Sequence, residues 1–262
     1  NILENIFYSR IKKKISNFSQ GPKQNSPDYY INNDNENEQK VYIYKPNDSG
    51  FQRKTFSGLS EEGLDNGHGY GYSLDLGIIK DTNNFAVAVG APKGYFEKEP
   101  TNFEKPYGYV EIISQFGNSD FVYKIDRIDA TGQNESNVNL GAFESNRFGE
   151  SVSMTHHWNT DKSRLAIGAP GDGSTHGYVN IVNLTKAYSN SIYIDFTSQI
   201  LRNQNSTNTS LFGKKVLLNK SKNENVDGTY LLVSESGLNQ VHLYKFESDN
   251  FSLDSTITKD NT

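Results

Sequence analysis

The chain has 262 residues, a formal net charge of -5 and no cysteine, so disulfide bonds and thiolate metal sites are excluded. Its charges are spread along the sequence without the basic stripe that nucleic-acid binding requires, and the cationic run at residues 10–14 is typical of a solvated strand edge rather than a lipid or nucleic-acid patch. No stretch approaches the roughly 18 apolar residues that a membrane-spanning helix needs.

The aliphatic residues occur in short bursts between polar connections, which predicts an all-β chain of many short strands. In chain order, the first predicted strand lies near residues 15–18, and residues 20–23 follow it as an eroded strand-ending turn. Residues 40–44 and 51–56 predict two more strands. These strands form a first unit, residues 1–60, in which the pattern is degenerate.

Three later segments repeat one order of signals: an aromatic residue followed by glycine, an apolar run, and a run that alternates apolar and polar residues. The aromatic-glycine pairs are Tyr70-Gly71, Phe148-Gly149 and Phe212-Gly213. In the first two segments the glycine of the pair stands 19 positions before the glycine of a Gly-Ala-Pro turn, at Gly90 and Gly168. In the third the separation is 21 positions, and Ser234-Glu235-Ser236 replaces Gly-Ala-Pro.

Each unit is predicted to hold four strands, and the units are residues 1–60, 61–132, 133–204 and 205–262. The apolar runs that precede the turns lack alternation, which predicts strands buried on both faces at residues 85–89, 165–167 and 230–233. The last strand of a unit does alternate, so half of its side chains are expected to face water, as at residues 121–125 and 191–195.

The recurring residue types have physical reasons. Glycine after the aromatic lets the backbone pass close to a neighbouring strand, and the aromatic side chain fills the wedge between twisted sheets. The glycine and proline of Gly-Ala-Pro are expected to end the strand, because glycine permits a sharp exit and proline cannot donate a ladder hydrogen bond. Four strands per unit, repeated along the chain, predict the blades of a β-propeller.

These motifs resemble the FG-GAP repeat family, which builds the propeller of integrin α-subunits and also occurs in glycosylphosphatidylinositol-specific phospholipase D. Residues 61–246 carry the resemblance, with the signatures YGYS…FAVAVGAP…YGYVEII and FGES…LAIGAP…HGYVNIV. It implies blades of four antiparallel strands, about four of which lie in this chain, within a seven-bladed ring. The four units are then a truncated propeller, a propeller completed by another chain, or a small ring.

The resemblance also implies calcium-binding loops of the form D-x-D-x-D-G in the hairpins before the Gly-Ala-Pro strands. One loop comes near this form, with Asn223, Asn225 and Asp227 at its first, third and fifth positions. It offers one carboxylate at those positions, whereas calcium takes six to eight oxygen ligands. A plain polar hairpin is therefore favoured over a calcium site, and no other cofactor is predicted.

No catalytic set is predicted. The glycines of residues 67–71 lead into a strand, whereas a phosphate loop leads into a helix. His156 and His157 are adjacent, so on a strand their side chains point to opposite faces. Ser151 lacks the following glycine of a nucleophile elbow. The chain is accordingly predicted to be non-enzymatic.

In the family, partners meet the face that carries the loops after Gly-Ala-Pro and between blades. The corresponding loops of this chain combine aromatic with charged residues, and aromatic side chains are enriched among interface anchors. The alternative is that Tyr95, Phe96 and Phe103 pack under their own loop. The predicted partner-binding residues are Lys93, Tyr95, Phe96, Phe103, Tyr107, Asp172 and His176.

The predicted function is an adhesion or scaffold module that binds a protein or glycan partner. Two alternatives stay open: a propeller that accompanies an enzyme domain outside this chain, as in the phospholipase relative, and a structural subunit of a large assembly. Eight Asn-x-Ser/Thr sequons suit an extracellular or secretory-lumen glycoprotein, although an asparagine-rich composition also generates sequons by chance.

Overall fold

The computed structural model describes residues 40–47, 50–57, 69–78, 85–92, 108–115, 123–129, 147–155, 163–171, 176–186, 192–195, 199–205, 207, 209–220, 229–247 and 249–259. These residues are β-strands and turns, with one 3-10 turn at Ser236–Leu238. The predicted all-β fold is therefore confirmed.

The described strands form four antiparallel sheets. Sheet 1 holds β1 (Lys40–Asn47) and β2 (Gly50–Ser57). Sheet 2 holds β3 (Ser73–Ile78), β4 (Phe85–Ala91), β5 (Tyr109–Gln115) and β6 (Tyr123–Asp129). Sheet 3 holds β7 (Ser151–Met154), β8 (Ser163–Ala169), β9 (Tyr178–Lys186), β10 (Ile192–Asp195) and β11 (Ile200–Leu201). Sheet 4 holds β12 (Phe212–Lys220), β13 (Thr229–Glu235), β14 (Gln240–Glu247) and β15 (Asn250–Thr258).

In sheets 2 and 4, and from β7 to β10 in sheet 3, each strand pairs with the next strand along the chain, so these sheets are meanders. In sheet 3 the outermost strand is in two pieces, because β10 pairs with β9 at residues 183–186 and β11 pairs with it at residues 179–180. The strands predicted at residues 40–44 and 51–56 are present as β1 and β2, and the strand predicted at residues 121–125 is present as β6. The strand and turn predicted at residues 15–23 lie outside the described residues.

An aromatic-glycine turn precedes the first strand of sheets 2, 3 and 4. The three turns span residues 69–72, 147–150 and 211–214, and in each the fourth amide donates to the first carbonyl, at 2.8, 3.0 and 3.2 Å. The third residue is Gly71, Gly149 or Gly213, with φ of 81°, 88° and 88°. A type II turn requires such a positive φ at that position. Turn geometry therefore demands the glycine that follows each aromatic.

The aromatic-glycine turns of sheets 3 and 4 each dock on the preceding sheet through a backbone carbonyl. Ser73 Oγ donates to the Gly149 carbonyl oxygen at 2.7 Å, and a Cβ at Gly90 would lie 2.1 Å from that oxygen. Sheet 3 repeats the arrangement with Ser151, whose Oγ donates to the Gly213 carbonyl at 3.1 Å. The structure corrects one prediction, since Gly90 lies inside β4 and is required by the close carbonyl rather than by a strand exit.

A second glycine completes each docking site. A Cβ at Gly108 would lie 2.2 Å from the Phe148 carbonyl oxygen, and a Cβ at Gly177 would lie 2.2 Å from the Phe212 carbonyl oxygen. The set formed by one serine and two glycines is here called the turn socket, and it consists of Ser73, Gly90 and Gly108 in sheet 2 and of Ser151, Gly168 and Gly177 in sheet 3.

The sheets stack in series, with an apolar core between each pair of neighbours. Phe148, at 0% exposure, packs with residues of sheets 2 and 3, and Phe212, also at 0%, packs with residues of sheets 3 and 4. Val41 and Phe56 of sheet 1 pack with Tyr70. Burying an aromatic or aliphatic side chain of this size stabilises the fold by about 1.5–3 kcal/mol. This packing supports the space-filling role predicted for the aromatics.

The first strands of sheets 2, 3 and 4 lie next to one another. Asp75 on β3 accepts hydrogen bonds from the Met154 amide at 2.7 Å and from Ser153 Oγ at 3.2 Å, both on β7. Ser153 Oγ in turn accepts from the Leu218 amide on β12, at 3.0 Å. No closed sheet is present among the described strands.

The strands before Gly-Ala-Pro are buried as predicted in sheets 2 and 3, where β8 is buried at every residue. In sheet 4 the prediction is wrong for residues 230–233, because burial alternates along β13. Leu231 and Val233 face sheet 3, whereas Leu232 is only half-buried. The difference arises because one face of sheet 4 has no neighbouring sheet among the described residues.

Candidate interaction surface

The strand register brings the three turns, and the residues that follow β4, β8 and β13, to the same end of their sheets. Ser73 pairs with Gly90, Ser151 with Gly168, and Phe212 with Glu235. We call this the GAP end. In the sequence, the seven predicted partner-binding residues fall between strand ends that lie here, either between Ala91 and Tyr109 or between Ala169 and Tyr178.

Of those seven, His176 is among the described residues. It is exposed and directly precedes Gly177 of the sheet 3 turn socket, so the structure places it at the GAP end. The other six, Lys93, Tyr95, Phe96, Phe103, Tyr107 and Asp172, lie outside the described residues, as do the candidate calcium ligands Asn223, Asn225 and Asp227. Within the part of the chain that is described, no cluster of His, Asp and Glu is able to hold a metal ion.

A buried carboxylate connects the three aromatic-glycine turns at the GAP end. The residue directly after the glycine is Tyr72 in sheet 2, Glu150 in sheet 3 and Lys214 in sheet 4. Glu150 Oε1 accepts from Tyr72 Oη at 3.1 Å and from Lys214 Nζ at 2.5 Å. Arg147 Nη2 lies 2.7 Å from Glu150 Oε2, in an ion pair without hydrogen-bond geometry. We call these four residues the Glu150 network.

The charges of the Glu150 network leave a cationic, aromatic surface. Glu150 itself is fully buried, and a buried carboxylate is costly unless it is paired. The side chains of Arg147 and Lys214 are 31% and 29% exposed, and Tyr72 is 42% exposed. Partial burial, followed by the charge of Glu150, raises the pKa of Tyr72 above its usual value. The phenol therefore stays protonated near neutral pH and is suited to recognition rather than proton transfer.

A second buried carboxylate explains why one aromatic of the three is a tyrosine. Tyr70 Oη donates to Glu111 Oε2 at 2.6 Å, and Glu111 is fully buried. The strand register places Asn180 and His242 at the positions of Glu111 in sheets 3 and 4. Both of those sheets have phenylalanine at the aromatic position, which offers no hydroxyl to a carboxylate.

A third buried carboxylate, Glu235, replaces the alanine of Gly-Ala-Pro in sheet 4. Its Oε2 accepts from Asn203 Nδ2 at 2.7 Å and lies 2.7 Å from His242 Nε2. His242 Nδ1 lies 3.0 Å from Thr256 Oγ1. A line of hydroxyl, imidazole and carboxylate also occurs in hydrolytic triads. Here Asn203 and His242 both contact the same oxygen of Glu235, which is 0% exposed. We therefore interpret these contacts as compensation for the buried charge of Glu235.

Sequence reasoning missed both the Glu150 network and the Glu235 pairing. A usable signal was present for the first, because Tyr72, Glu150 and Lys214 occupy one position, directly after the aromatic-glycine pair, in three units. For the second the signal was the eroded turn, where a glutamate stands in place of alanine.

In comparisons with known proteins, no family model matches the chain and no curated protein shows significant similarity to it. In the described part of the chain there is no helix of the length and apolarity that a bilayer crossing requires.

Proposed function

We propose that this chain is a non-enzymatic binding scaffold of the FG-GAP β-propeller class, which engages a protein or glycan partner at the GAP end. The observation that carries the proposal is the Glu150 network. It holds equivalent residues of three successive sheets together at one end. Loops on a rigid β-scaffold are where binding functions concentrate.

The propeller part of the proposal rests on the serial docking of the sheets. Blades of a propeller are four-stranded meanders whose first strands lie around an axis, and β3, β7 and β12 are neighbours in this order. The interface between sheets 2 and 3 and the interface between sheets 3 and 4 each contain a turn socket of the same residue types. A seven-bladed ring needs further blades, from this or another chain. An extracellular or secretory-lumen location, with glycosylated sequons, belongs to the same proposal.

Residue types at the GAP end favour recognition of a macromolecule. Tyrosine and arginine are the residue types most enriched at binding hot spots, and Tyr72 and Arg147 are both partly exposed there. Glu150 neutralises one of the two cations beside Tyr72, so the network keeps one net positive charge. Strand β4 ends and β5 begins at the same end, and the proposal includes Tyr95 and Phe96, which stand between them in the sequence, in the contact.

The experiment starts from the purified chain, immobilised and screened against a glycan array and a library of cell-surface ectodomains. Hits are then titrated with Tyr72→Ala and with a Tyr95→Ala, Phe96→Ala double variant. Loss of a hot-spot side chain is expected to raise Kd about 10-fold or more. The control is Glu247→Ala, because Glu247 is exposed and pairs with Asn250 at the opposite end of sheet 4.

Two results would contradict the proposal. Unchanged Kd in all GAP-end variants would remove the site assignment, and an equal loss in Glu247→Ala would place the contact elsewhere. Circular dichroism and thermal unfolding of each variant distinguish loss of contact from loss of fold.

For residues 223–228 the proposal favours a polar hairpin over a calcium site. Isothermal titration with calcium, on the chain and on Asp227→Asn, tests it. Heat that is present with the chain and absent with the variant would overturn the polar-hairpin interpretation.

The alternative of a structural subunit in a larger assembly is favoured by a different observation. Most of the exposed large apolar side chains in the described part of the chain belong to sheet 4 and its connections. Such patches mark protein contacts.

A further inference from the structure

The side chains of the Glu150 network that reach solvent are hydrogen-bond donors. Arg147 and Lys214 are 31% and 29% exposed, and Tyr72 is 42% exposed, whereas Glu150 is fully buried. An arginine side chain has five N–H donors and no acceptor, and a lysine side chain has three donors and no acceptor. The solvent-facing part of the network therefore suits a ligand group that accepts hydrogen bonds.

The three exposed side chains of the network converge on one place. Tyr72 Oη and Lys214 Nζ donate to the same atom, Glu150 Oε1, at 3.1 and 2.5 Å. Partial burial and then the charge of Glu150 raise the pKa of Tyr72, whereas the charge of Arg147 and its hydrogen bond to the phenol oppose that rise. Arg147 therefore lies beside Tyr72 as well as beside Glu150. One small ligand can contact all three exposed side chains.

The network carries one positive charge that its own carboxylate does not neutralise, because Arg147 and Lys214 are two cations and Glu150 is one anion. Two other carboxylates near the aromatic-glycine turns, Glu111 and Glu235, are fully buried, so neither offers an exposed acceptor to these donors. A ligand with a single negative charge matches this balance. A carboxylate has one such charge, whereas a phosphate monoester has about 1.5 to 2 at neutral pH.

The backbone of the turn does not call for an arginine at residue 147. The φ of Arg147 is 58°, and the residues at the same place in the turns of sheets 2 and 4 are Gly69 and Leu211, with φ of 68° and 57°. Non-glycine residues adopt such a positive φ uncommonly. Since glycine or leucine serves the same turn elsewhere in the chain, the guanidinium is a feature that sheet 3 adds at this position.

We propose that the Glu150 network binds the carboxylate of an acidic sugar, with Arg147 as the principal contact. This inference rests on the proposed binding function of the GAP end and names the class of its ligand. A guanidinium matches a carboxylate in a planar, bidentate pair, and Arg147 has more N–H groups than Glu150 and Tyr72 engage. Lys214 supplies a further charged donor beside it.

Tyr72 favours an acidic sugar over an acidic peptide. Its ring is the exposed aromatic surface of the network, and the face of an aromatic ring is electron-rich. The C–H groups on one face of a pyranose ring stack on such a surface, whereas an aspartate or glutamate side chain has no comparable face. The cations and the phenol ring together therefore match one acidic sugar residue.

Matched ligands test the contribution of the carboxylate. The purified chain is titrated with two pairs of ligands, sialyllactose with lactose and methyl glucuronide with methyl glucoside, and binding is followed by saturation-transfer NMR. In at least one pair the acidic member is expected to bind about 10-fold or more tightly than its neutral partner, since a hydrogen bond to a charged group is worth at least that factor. Equal affinities within both pairs would overturn the proposal. Equally tight binding of a tripeptide with a central glutamate would overturn the choice of a sugar.

Substitutions test the residues, with circular dichroism as the measure of folding. Arg147→Gln is expected to raise the Kd of the acidic sugar about 10-fold or more. Glu150→Gln keeps the size of the side chain and removes its negative charge, so it is expected to lower that Kd several-fold. A purely structural network predicts weaker binding in both variants, and that result would overturn the proposal. Lys215→Gln is the matched control, because Lys215 is an exposed cation next to Lys214 in the sequence and outside the network.

The inference and the proposed function can fail separately. A partner from the glycan or ectodomain screen that loses affinity for Tyr72→Ala but not for Arg147→Gln would support the GAP end as the contact and overturn the acidic-sugar assignment. A partner whose Kd is unchanged in every GAP-end variant would overturn the proposed function, whatever the titrations with acidic sugars give.

Discussion

Sheets 3 and 4 share a repeat pattern and differ in what surrounds them. Sheet 3 lies between two neighbours, and β8 is buried at every residue. Sheet 4 has one described neighbour, and β13 alternates between buried and half-buried residues. The socket residues differ in parallel, with Ser151 and Gly168 in sheet 3 and Lys215 and Ser234 in sheet 4. The comparison teaches that burial in this chain is set by the neighbouring sheet rather than by the strand pattern alone.

The largest expected effect comes from filling the turn socket. Gly168→Val places a Cβ 2.1 Å from the Gly213 carbonyl oxygen, so sheets 3 and 4 must separate. We expect a loss of about 4 kcal/mol or more in the free energy of unfolding. Ser234→Val, at the equivalent position of sheet 4, meets no arriving carbonyl among the described residues and is expected to cost about 1 kcal/mol, through loss of the hydrogen bond that Ser234 Oγ accepts from the Lys215 amide. Urea denaturation followed by circular dichroism measures both, and similar losses would show that the two sheets are equivalent after all.

Adjacent leucines of β13 provide a matched pair for the next effect. Leu231 is 0% exposed and packs against sheet 3, and Leu231→Ala is expected to cost about 3 kcal/mol through lost burial and a cavity. Leu232 is half-buried on the opposite face of the strand, and Leu232→Ala is expected to cost about 1 kcal/mol. Urea denaturation measures the free energy of unfolding of both variants. A larger loss for Leu232→Ala would contradict the assignment of Leu231 to the buried face of β13.

Removing a socket hydroxyl is expected to have a smaller effect. Ser151 Oγ donates to the Gly213 carbonyl, and Ser151→Ala leaves that buried oxygen with one donor fewer. A cost of about 1 kcal/mol follows. Lys215→Ala, the control at the equivalent position of sheet 4, is expected to be within about 0.5 kcal/mol of wild type. Thermal unfolding compares them, and equal Tm values for both variants would argue that the serine hydrogen bond contributes nothing.

The smallest effect is a pH dependence confined to alkaline solution. Burial, followed by the charge of Glu235, raises the pKa of Tyr244 from 10.0 to about 12. The unfolded chain therefore releases this proton first, and the stabilisation present below pH 10 is lost as pH rises toward 12. The urea midpoint should fall over that window in the wild type and fall less in Tyr244→Phe. An identical fall in both would remove Tyr244 as the cause.

Much of the fold follows from the sequence because the repeats are local. The aromatic-glycine pairs and the apolar runs specify strands within one unit, and the structure has strands at these places. The turn sockets cannot be predicted from one unit in this way, because the role of Gly90 or Gly168 depends on a carbonyl group of the next unit. That information is absent from either unit taken alone, and the glycines were consequently assigned to strand exit.

The Glu150 network could not be read from local pattern for a related reason. Glu150 meets Tyr72 and Lys214 at separations of 78 and 64 residues, and each of the three looks like a solvated polar residue within its own segment. The burial of Glu235 is equally non-local, because Asn203 comes from the segment that follows β11, 32 residues earlier in the chain. The loop residues Lys93 to Tyr107 and the loop at residues 223–228 lie outside the described residues, so their predicted roles stay predictions.

The turn socket has a consequence for how such a chain can diverge. The group that each sheet offers to its predecessor is a main-chain oxygen, of Gly149 or Gly213, and every amino acid carries that oxygen. Selection on the contact therefore acts on a serine and two glycines of the receiving sheet and on the aromatic-glycine pair of the arriving turn. Units can be duplicated or exchanged as long as these residues are kept. The other side chains around the arriving turn can then change toward new ligands.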